Sequence, residues 1–163
     1  MYTLDKPDNL VAMFEESVVK FGGNLWMGTK SAARDGYDWV TYDQVAQRIG
    51  NLRGGLARLG IEKGDAVGII ANNRVEWAAA CYATYSLAGR YVPMYEAELE
   101  KTWKYIVSDA SVKVLFVSKP DILEKVKSWP EEIDTLEHVI LIEGQGEGSM
   151  QALERMGAEN PVS

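Results

Sequence analysis

Strand-like apolar runs alternate with helix-like segments along most of this chain, and that alternation limits the fold more than any other feature. The strand-like runs lie at residues 66–71, 91–94, 112–118 and 138–143. The run at residues 66–71, AVGIIA, is apolar on both faces, which is typical of a parallel strand covered on both sides. Repeated strand–helix–strand order predicts an α/β fold, a Rossmann-like layered arrangement with a mostly parallel sheet flanked by helices.

The most specific local signal is a helix start at Thr41. Thr41 and Gln44 have the spacing of a capping box, in which each side chain accepts a hydrogen bond from the other residue's backbone N–H. Such a cap contributes about 1 kcal/mol to stability. An apolar stripe of helical spacing follows, made of Val45, Ile49, Leu52, Leu56 and Leu59. Gly60 is the predicted end of this helix.

Two further elements are predicted before the capping box. Residues 9–21 carry apolar residues on one helical face, and Gly22 and Gly23 end that segment. A β-hairpin is then predicted around Arg34-Asp35-Gly36, because glycine readily adopts the positive φ of a tight turn. We therefore expect a single domain over residues 1–163, with an N-terminal helix and a β-hairpin beside the layered core.

Composition narrows the functional classes. The formal net charge of −7 argues against a nucleic-acid binder, which normally carries a basic patch. Cys81 is the sole cysteine, so no disulfide can form within the chain and a reducing compartment fits. The sequence has no run of 18 apolar residues, so we expect no transmembrane segment. Its first residues are too polar for a signal peptide, and we expect a cytoplasmic protein.

The corner after the buried strand, residues 71–77 (ANNRVEW), occupies the position where α/β folds often bind phosphate. It contains no glycine, so its backbone cannot easily wrap an anion. We expect Asn72 and Asn73 to serve as helix caps or left-handed turn residues. Arg74 should turn to solvent or to a carboxylate such as Glu76, because a helix N-terminus disfavours a cation. The corner is therefore predicted to be a structural turn.

A glycine-rich segment, GQGEGS at residues 144–149, also resembles a phosphate loop. Its spacing is G-x-G-x-G, whereas the dinucleotide fingerprint is G-x-G-x-x-G. Glu143 and Glu147 would repel a pyrophosphate. The sequence contains no G-x-x-x-x-G-K-[ST] motif either. We interpret this segment as a surface loop.

The remaining candidates for chemistry are weak. Cys81 lies in an apolar helical segment with no basic neighbour, so it is expected in the core. His138 is the sole histidine, and core or edge packing is its expected role. Glu131 and Glu132 are expected at a helix N-terminus. Taken residue by residue, the chain is a parallel α/β domain without a catalytic constellation.

Several short motifs resemble those of one family. They are Thr41-Tyr42 at the helix cap, LARLGIEKGD, AVGIIA, the corner with Asn73 and Glu76, Ala88-Gly89, and Pro93. In this respect residues 39–118 resemble the N-terminal region of the adenylate-forming superfamily, which includes acyl-CoA synthetases, luciferases and peptide-synthetase adenylation domains. The motifs NRVEW, YVPMYE and DGYDWVTY are most similar to the long-chain fatty acyl-CoA synthetase branch.

The resemblance implies an ATP-dependent, AMP-forming long-chain fatty acid–CoA ligase, which makes an acyl-adenylate and then a thioester. Fatty acid, ATP, Mg²⁺ and coenzyme A are the implied reactants and cofactors of the parent protein, and peripheral membrane association is compatible with it. The family's Ser/Thr/Gly-rich phosphate loop ending in Pro-Lys-Gly is expected beyond Ser163. The chain is therefore expected to be an inactive N-terminal fragment of the large N-terminal domain, binding none of these cofactors.

Other interpretations stay open at this point. The parent could be a luciferase-like or peptide-synthetase adenylating enzyme, or the chain could be a self-contained flavodoxin-like nucleotide-binding or interaction module. The resemblance also implies that Tyr95 lines a coenzyme A tunnel, and the alternative is that Tyr95 packs against the following helix. Finally, we expect self-association, because an apolar sheet face covered in a full-length enzyme would be exposed here.

Overall fold

The computed structural model describes residues 7–162. It contains six helices and six strands over those residues. In chain order they are α1 (Leu10–Phe21), β1 (Leu25–Lys30), β2 (Tyr37–Thr41), α2 (Tyr42–Arg58), β3 (Ala66–Ile70), α3 (Val75–Ser86), β4 (Arg90–Met94), α4 (Glu100–Asp109), β5 (Val112–Val117), α5 (Pro120–Val126), β6 (His138–Leu141) and α6 (Met150–Glu159). A short 3-10 helix, Trp129–Glu131, lies between α5 and β6.

The strands form two separate sheets. The larger sheet has the order β4-β3-β5-β6, and every neighbouring pair in it is parallel. The smaller sheet is the antiparallel hairpin of β1 and β2. The predicted α/β class, the mostly parallel sheet, the N-terminal helix and the hairpin are thus confirmed. The all-apolar β3 is completely buried, because it lies between β4 and β5.

Helices cover both faces of the large sheet. Alternate side chains of β3 enter opposite cores: Val67 and Ile69 pack with α1, α2, α3 and α6, while Ala66 and Ile70 pack with α4 and α5. This period of two follows from strand geometry. In the part of the chain that the structure describes, helices therefore cover both faces of the two central strands. The expected self-association assumed that one of these faces would be exposed, and it is covered. Most of the exposed large apolar side chains lie on α1, on the hairpin, and on α4 or just before it, and Met156 is a further one on α6.

The capping box predicted at the start of α2 is present. The Gln44 backbone N–H donates to Thr41 Oγ1 at 3.2 Å, and the Thr41 N–H donates to Gln44 Oε1 at 2.9 Å. The predicted stripe is the buried face of α2, apart from Leu59, which is partly buried. Gly60 has a φ of +79°, as a residue that ends a helix in the left-handed region does.

Glycines let α2 and α6 pack closely. A Cβ on Gly157 of α6 would lie 1.7 Å from the backbone oxygen of Asn51 in α2. A Cβ on Gly54 or Gly55 of α2 would lie 2.7 Å or 2.5 Å from backbone oxygens of α6 residues. Side chains at these positions would force the two helices apart, so the contact depends on glycine from both sides.

Three local expectations were wrong. The sequence predicts a helix over residues 74–88 that Gly89 ends, but the left-handed residue after α3 is Ala88, with a φ of 55°. The helical pattern of residues 96–110 predicts that Leu99 faces inward, but Leu99 precedes α4 as its N-cap residue and is 60% exposed. Glu131 and Glu132 end a 3-10 turn instead of beginning a helix, and Glu132 pairs with Lys104. Each error concerns where an element begins or ends, where local patterns are weakest.

Candidate functional site at the carboxyl edge of the sheet

Polar residues follow all four parallel strands at the carboxyl edge of the large sheet. Asn72 follows β3, Glu96 follows β4, Lys119 follows β5 and Glu143 follows β6. This edge is where ligands bind in open α/β sheets. A groove of about 480 Å³ runs between this edge and the hairpin residues Thr29, Asp38 and Val40. The groove is therefore the candidate functional site.

Arg74 forms two ion pairs in this groove. Its Nε lies 2.9 Å from Glu76 Oε2, and its Nη1 lies 2.6 Å from Glu143 Oε1. The prediction that Arg74 turns to a carboxylate such as Glu76 is therefore confirmed. Arg74 is itself the N-cap residue of α3, and no side chain caps this helix. The cap and left-handed roles expected for Asn72 and Asn73 were wrong, because neither residue has a positive φ.

Arg48 of α2 extends the network to α6. Its Nη1 lies 3.1 Å from Glu76 Oε1, and its Nη2 lies 2.8 Å from Glu154 Oε1. We call Arg48, Arg74, Glu76, Glu143 and Glu154 the edge network. Burial opposes ionisation of Glu76, but the two guanidinium groups outweigh it, and the pKa of Glu76 is lowered. Glu76 therefore stays ionised at neutral pH and holds both guanidinium groups.

A second ion pair fixes the segment that follows β4. Lys119 Nζ lies 2.9 Å from Glu96 Oε2, and the Asn72 backbone N–H donates to Glu96 Oε1 at 3.0 Å. Burial raises the pKa of Glu96, but Lys119 and the Asn72 N–H outweigh that effect and lower it overall. Glu96 thus ties the segment after β4 to the segments that follow β3 and β5.

The groove does not fit a nucleotide phosphate. Arg48, Arg74 and Lys119 line it, and each is already paired with a carboxylate. A phosphate would have to displace these carboxylates and then lie beside them. Over residues 7–162, no group of three or more His, Cys, Asp or Glu side chains is arranged to hold a metal ion.

The glycine-rich segment at residues 144–149 forms a largely exposed loop between β6 and α6. Gly146 and Gly148 have positive φ values of 83° and 78°, which explains the glycines as turn residues. Glu143, immediately before the loop, pairs with Arg74. The loop ends at Ser149, whose hydroxyl caps α6 by accepting from the Ala152 N–H at 3.2 Å. These contacts agree with the interpretation as a surface loop.

Tyr95 lies directly after β4 at the same edge. Its side chain is 77% exposed, and its backbone carbonyl accepts a hydrogen bond from Trp103 Nε1 at 2.8 Å. With Trp77 and Pro93, among others, it lines a hollow of about 180 Å³. Such exposure speaks against the alternative that Tyr95 simply packs against α4. Its role toward coenzyme A stays a prediction.

Cys81 and His138 both have structural roles in the fold. Cys81 is buried within α3, as expected. Burial raises the pKa of its thiol, which makes it a poor nucleophile at neutral pH. His138 begins β6 and is partly buried, as expected for edge packing. Neither residue joins the carboxyl-edge groove.

The four-stranded parallel sheet with helices on both faces defines the class of layered α/β domains. Residues 19–162 match the sequence model described as AMP-binding enzyme. The chain belongs to this family of AMP-binding enzymes.

The chain is also similar in sequence to individual curated proteins. The chain is 26% identical to "Long-chain-fatty-acid--CoA ligase ACSBG2" of Rattus norvegicus, with 83% of this chain and 20% of that protein covered. It is 28% identical to "Long chain acyl-CoA synthetase 7, peroxisomal" of Arabidopsis thaliana, with 82% of this chain and 19% of that protein covered. The chain thus spans about a fifth of the length of these curated relatives.

Solved structures agree on the fold. The crystal structure of the anthranilate CoA ligase AuaEII with anthranoyl-AMP superposes with a TM-score of 0.80 at 22% identity. The match covers 98% of this chain and 29% of that one. At this identity the likeness shows the fold alone. Within residues 7–162, no helix is long and apolar enough to cross a membrane.

Proposed function

We propose that this chain is the first portion of the large N-terminal domain of an ATP-dependent, AMP-forming long-chain fatty acid–CoA ligase. The observation that carries the proposal is the AMP-binding enzyme match over residues 19–162. The relatives named above support long-chain fatty acids as the acid substrates. The proposed overall reaction joins fatty acid and ATP into an acyl-adenylate, and coenzyme A then takes the acyl group as a thioester.

In this proposal the chain supplies scaffold and not the nucleotide site. The carboxyl-edge cations are neutralised by carboxylates, so ATP and Mg²⁺ are assigned to other parts of the whole protein. A calorimetric titration of the 163-residue chain with ATP and Mg²⁺ tests this assignment. We expect no measurable binding. Micromolar binding to this chain would favour the self-contained nucleotide-binding module instead.

We propose that Tyr95 contacts coenzyme A in the whole protein. Its exposed ring at the carboxyl edge, and the Trp103 hydrogen bond that fixes its backbone, support this role. Tyr95→Ala should raise the KM for coenzyme A about three- to tenfold, because an aromatic contact contributes about 0.5–1.5 kcal/mol. The KM for ATP should not change. Tyr105, which is 67% exposed on α4, provides the matched control Tyr105→Ala. An unchanged KM for coenzyme A in Tyr95→Ala would rule out the contact.

We further propose that the isolated chain self-associates through its hairpin. Tyr37 and Trp39 are each about half exposed, with ring centroids 6.1 Å apart, and Leu25 is 61% exposed. Exposed apolar patches of this kind favour association. Light scattering at high protein concentration should give the mass of a dimer or larger species, and Trp39→Lys should lower it. A monomeric mass at all concentrations would contradict the proposal.

We propose that the parent protein is cytoplasmic, with peripheral membrane association compatible with its proposed substrate. One relative is described as peroxisomal, so location varies among the proteins to which this chain is similar. Fluorescent tagging of the whole protein in cells would decide between these compartments.

A further inference from the structure

The segment that follows β4 is held at the carboxyl edge of the sheet by two independent sets of contacts. On one side, Trp103 Nε1 of α4 donates to the Tyr95 carbonyl at 2.8 Å. On the other side, the Glu96 carboxylate accepts the Asn72 N–H at 3.0 Å and pairs with Lys119 Nζ at 2.9 Å. The backbone around the peptide bond between Tyr95 and Glu96 is therefore fixed by α4 and by the segments that follow β3 and β5.

Tyr95 and Glu96 differ greatly in exposure although they are neighbours. The Glu96 side chain is only 13% exposed, whereas Tyr95 is 77% exposed. Burying a carboxylate is unfavourable unless it is paired, and both carboxylate oxygens of Glu96 have partners. Because the two residues share a planar peptide unit, fixing Glu96 inward limits the positions that the Tyr95 ring can take.

We propose that Glu96 is a positioning residue for coenzyme A: paired with Lys119 and the Asn72 N–H, it holds the Tyr95 ring where coenzyme A binds. This inference rests on the contact between Tyr95 and coenzyme A proposed above. Glu96 itself touches no substrate and acts through Tyr95. Its charge is balanced by Lys119 at 2.9 Å, so the carboxylate does not repel the phosphates of coenzyme A strongly.

Amide hydrogen exchange of the whole protein tests the positioning without an enzyme assay. Glu96→Ala and Lys119→Met should each speed exchange in residues 95–99 about threefold or more, because the segment opens locally more often. Asp65→Ala is the matched control, since Asp65 also accepts a backbone N–H, at 2.9 Å, and pairs with Lys113 at 3.3 Å. Asp65 precedes β3 at the opposite edge of the sheet, so its loss should not change exchange in residues 95–99. Unchanged exchange there in Glu96→Ala and Lys119→Met would overturn the proposal.

Steady-state kinetics of the whole protein test the consequence for coenzyme A. Glu96→Ala should raise the KM for coenzyme A about two- to fivefold, the range expected for a partly exposed ion pair, and leave the KM for ATP unchanged. In a Tyr95→Ala background the same change should add almost nothing, since both act through one ring. Lys119→Met should resemble Glu96→Ala. Lys119→Arg should restore the wild-type KM, because arginine also pairs with a carboxylate.

The kinetic outcomes separate this inference from the proposed function. If Tyr95→Ala leaves the KM for coenzyme A unchanged, the contact with coenzyme A is absent and the positioning role is excluded with it. If Tyr95→Ala raises this KM but Glu96→Ala does not, or if the two effects add fully, Tyr95 contacts coenzyme A and Glu96 does not position it. An equal rise in Asp65→Ala would show a general structural effect and would also overturn the proposal.

Discussion

Gly157→Ala should destabilise the domain by about 3 kcal/mol, at the upper end of the usual range for overpacking. The added Cβ would lie 1.7 Å from the Asn51 backbone oxygen, and no side-chain rotation can relieve a clash with backbone. The helices α2 and α6 would have to separate, which would also disturb the Arg48–Glu154 ion pair between them. Urea unfolding measures the change.

Gly50→Ala is the matched control for this prediction. It is also a glycine-to-alanine change in a helix, but its Cβ would meet no atom within 4 Å. It should stabilise the domain by about 0.5–1 kcal/mol, since alanine favours a helix over glycine. If both variants lost the same stability, or if Gly157→Ala lost less than about 1 kcal/mol, the close α2–α6 contact would be wrong.

Arg48→Met should cost about 2 kcal/mol at neutral pH, less than the roughly 3–5 kcal/mol for breaking a fully buried pair. The change leaves Glu76 and Glu154 without this guanidinium, and their side chains are only 21% and 17% exposed. Arg58→Met, on the exposed side of the same helix, should change stability by less than about 0.5 kcal/mol. Equal losses in the two variants would contradict a structural role for the edge network.

The effect of Arg48→Met should also depend on pH. The pKa of Glu76 is lowered in the folded state, so its ion pairs contribute stability above the unfolded-state pKa of about 4.3. That contribution is lost as the pH falls through the folded pKa. The stability difference between wild type and Arg48→Met should therefore be largest near neutral pH and shrink below about pH 4. Unfolding curves measured across this range give the difference directly.

Local patterns in the sequence predict the elements well, because the interactions that start and bury them are local. Thr41 and Gln44 of the capping box are three positions apart, and the stripe on α2 repeats at helical spacing. Arg74 and Glu76 are two residues apart, so their pairing could be anticipated. The all-apolar β3 likewise indicated burial on both faces.

Contacts between distant segments could not be predicted in this way. Arg48 and Glu154 are 106 residues apart, and nothing local to either one indicates the other. The need for glycine in α2 and α6 is explained only by the close packing of these two helices. The edge network and the close packing of α2 on α6 are therefore findings of the structure.

The most direct test of the proposed ligase is fatty-acid-dependent exchange of radiolabelled pyrophosphate into ATP by the whole protein. This exchange reports adenylate formation without the later thioester step. We predict exchange that requires Mg²⁺ and a long-chain fatty acid such as palmitate, and little exchange with amino acids or aromatic acids. Exchange with amino acids alone would favour a peptide-synthetase relative. Folded whole protein that shows no exchange with any fatty acid would contradict the proposed function.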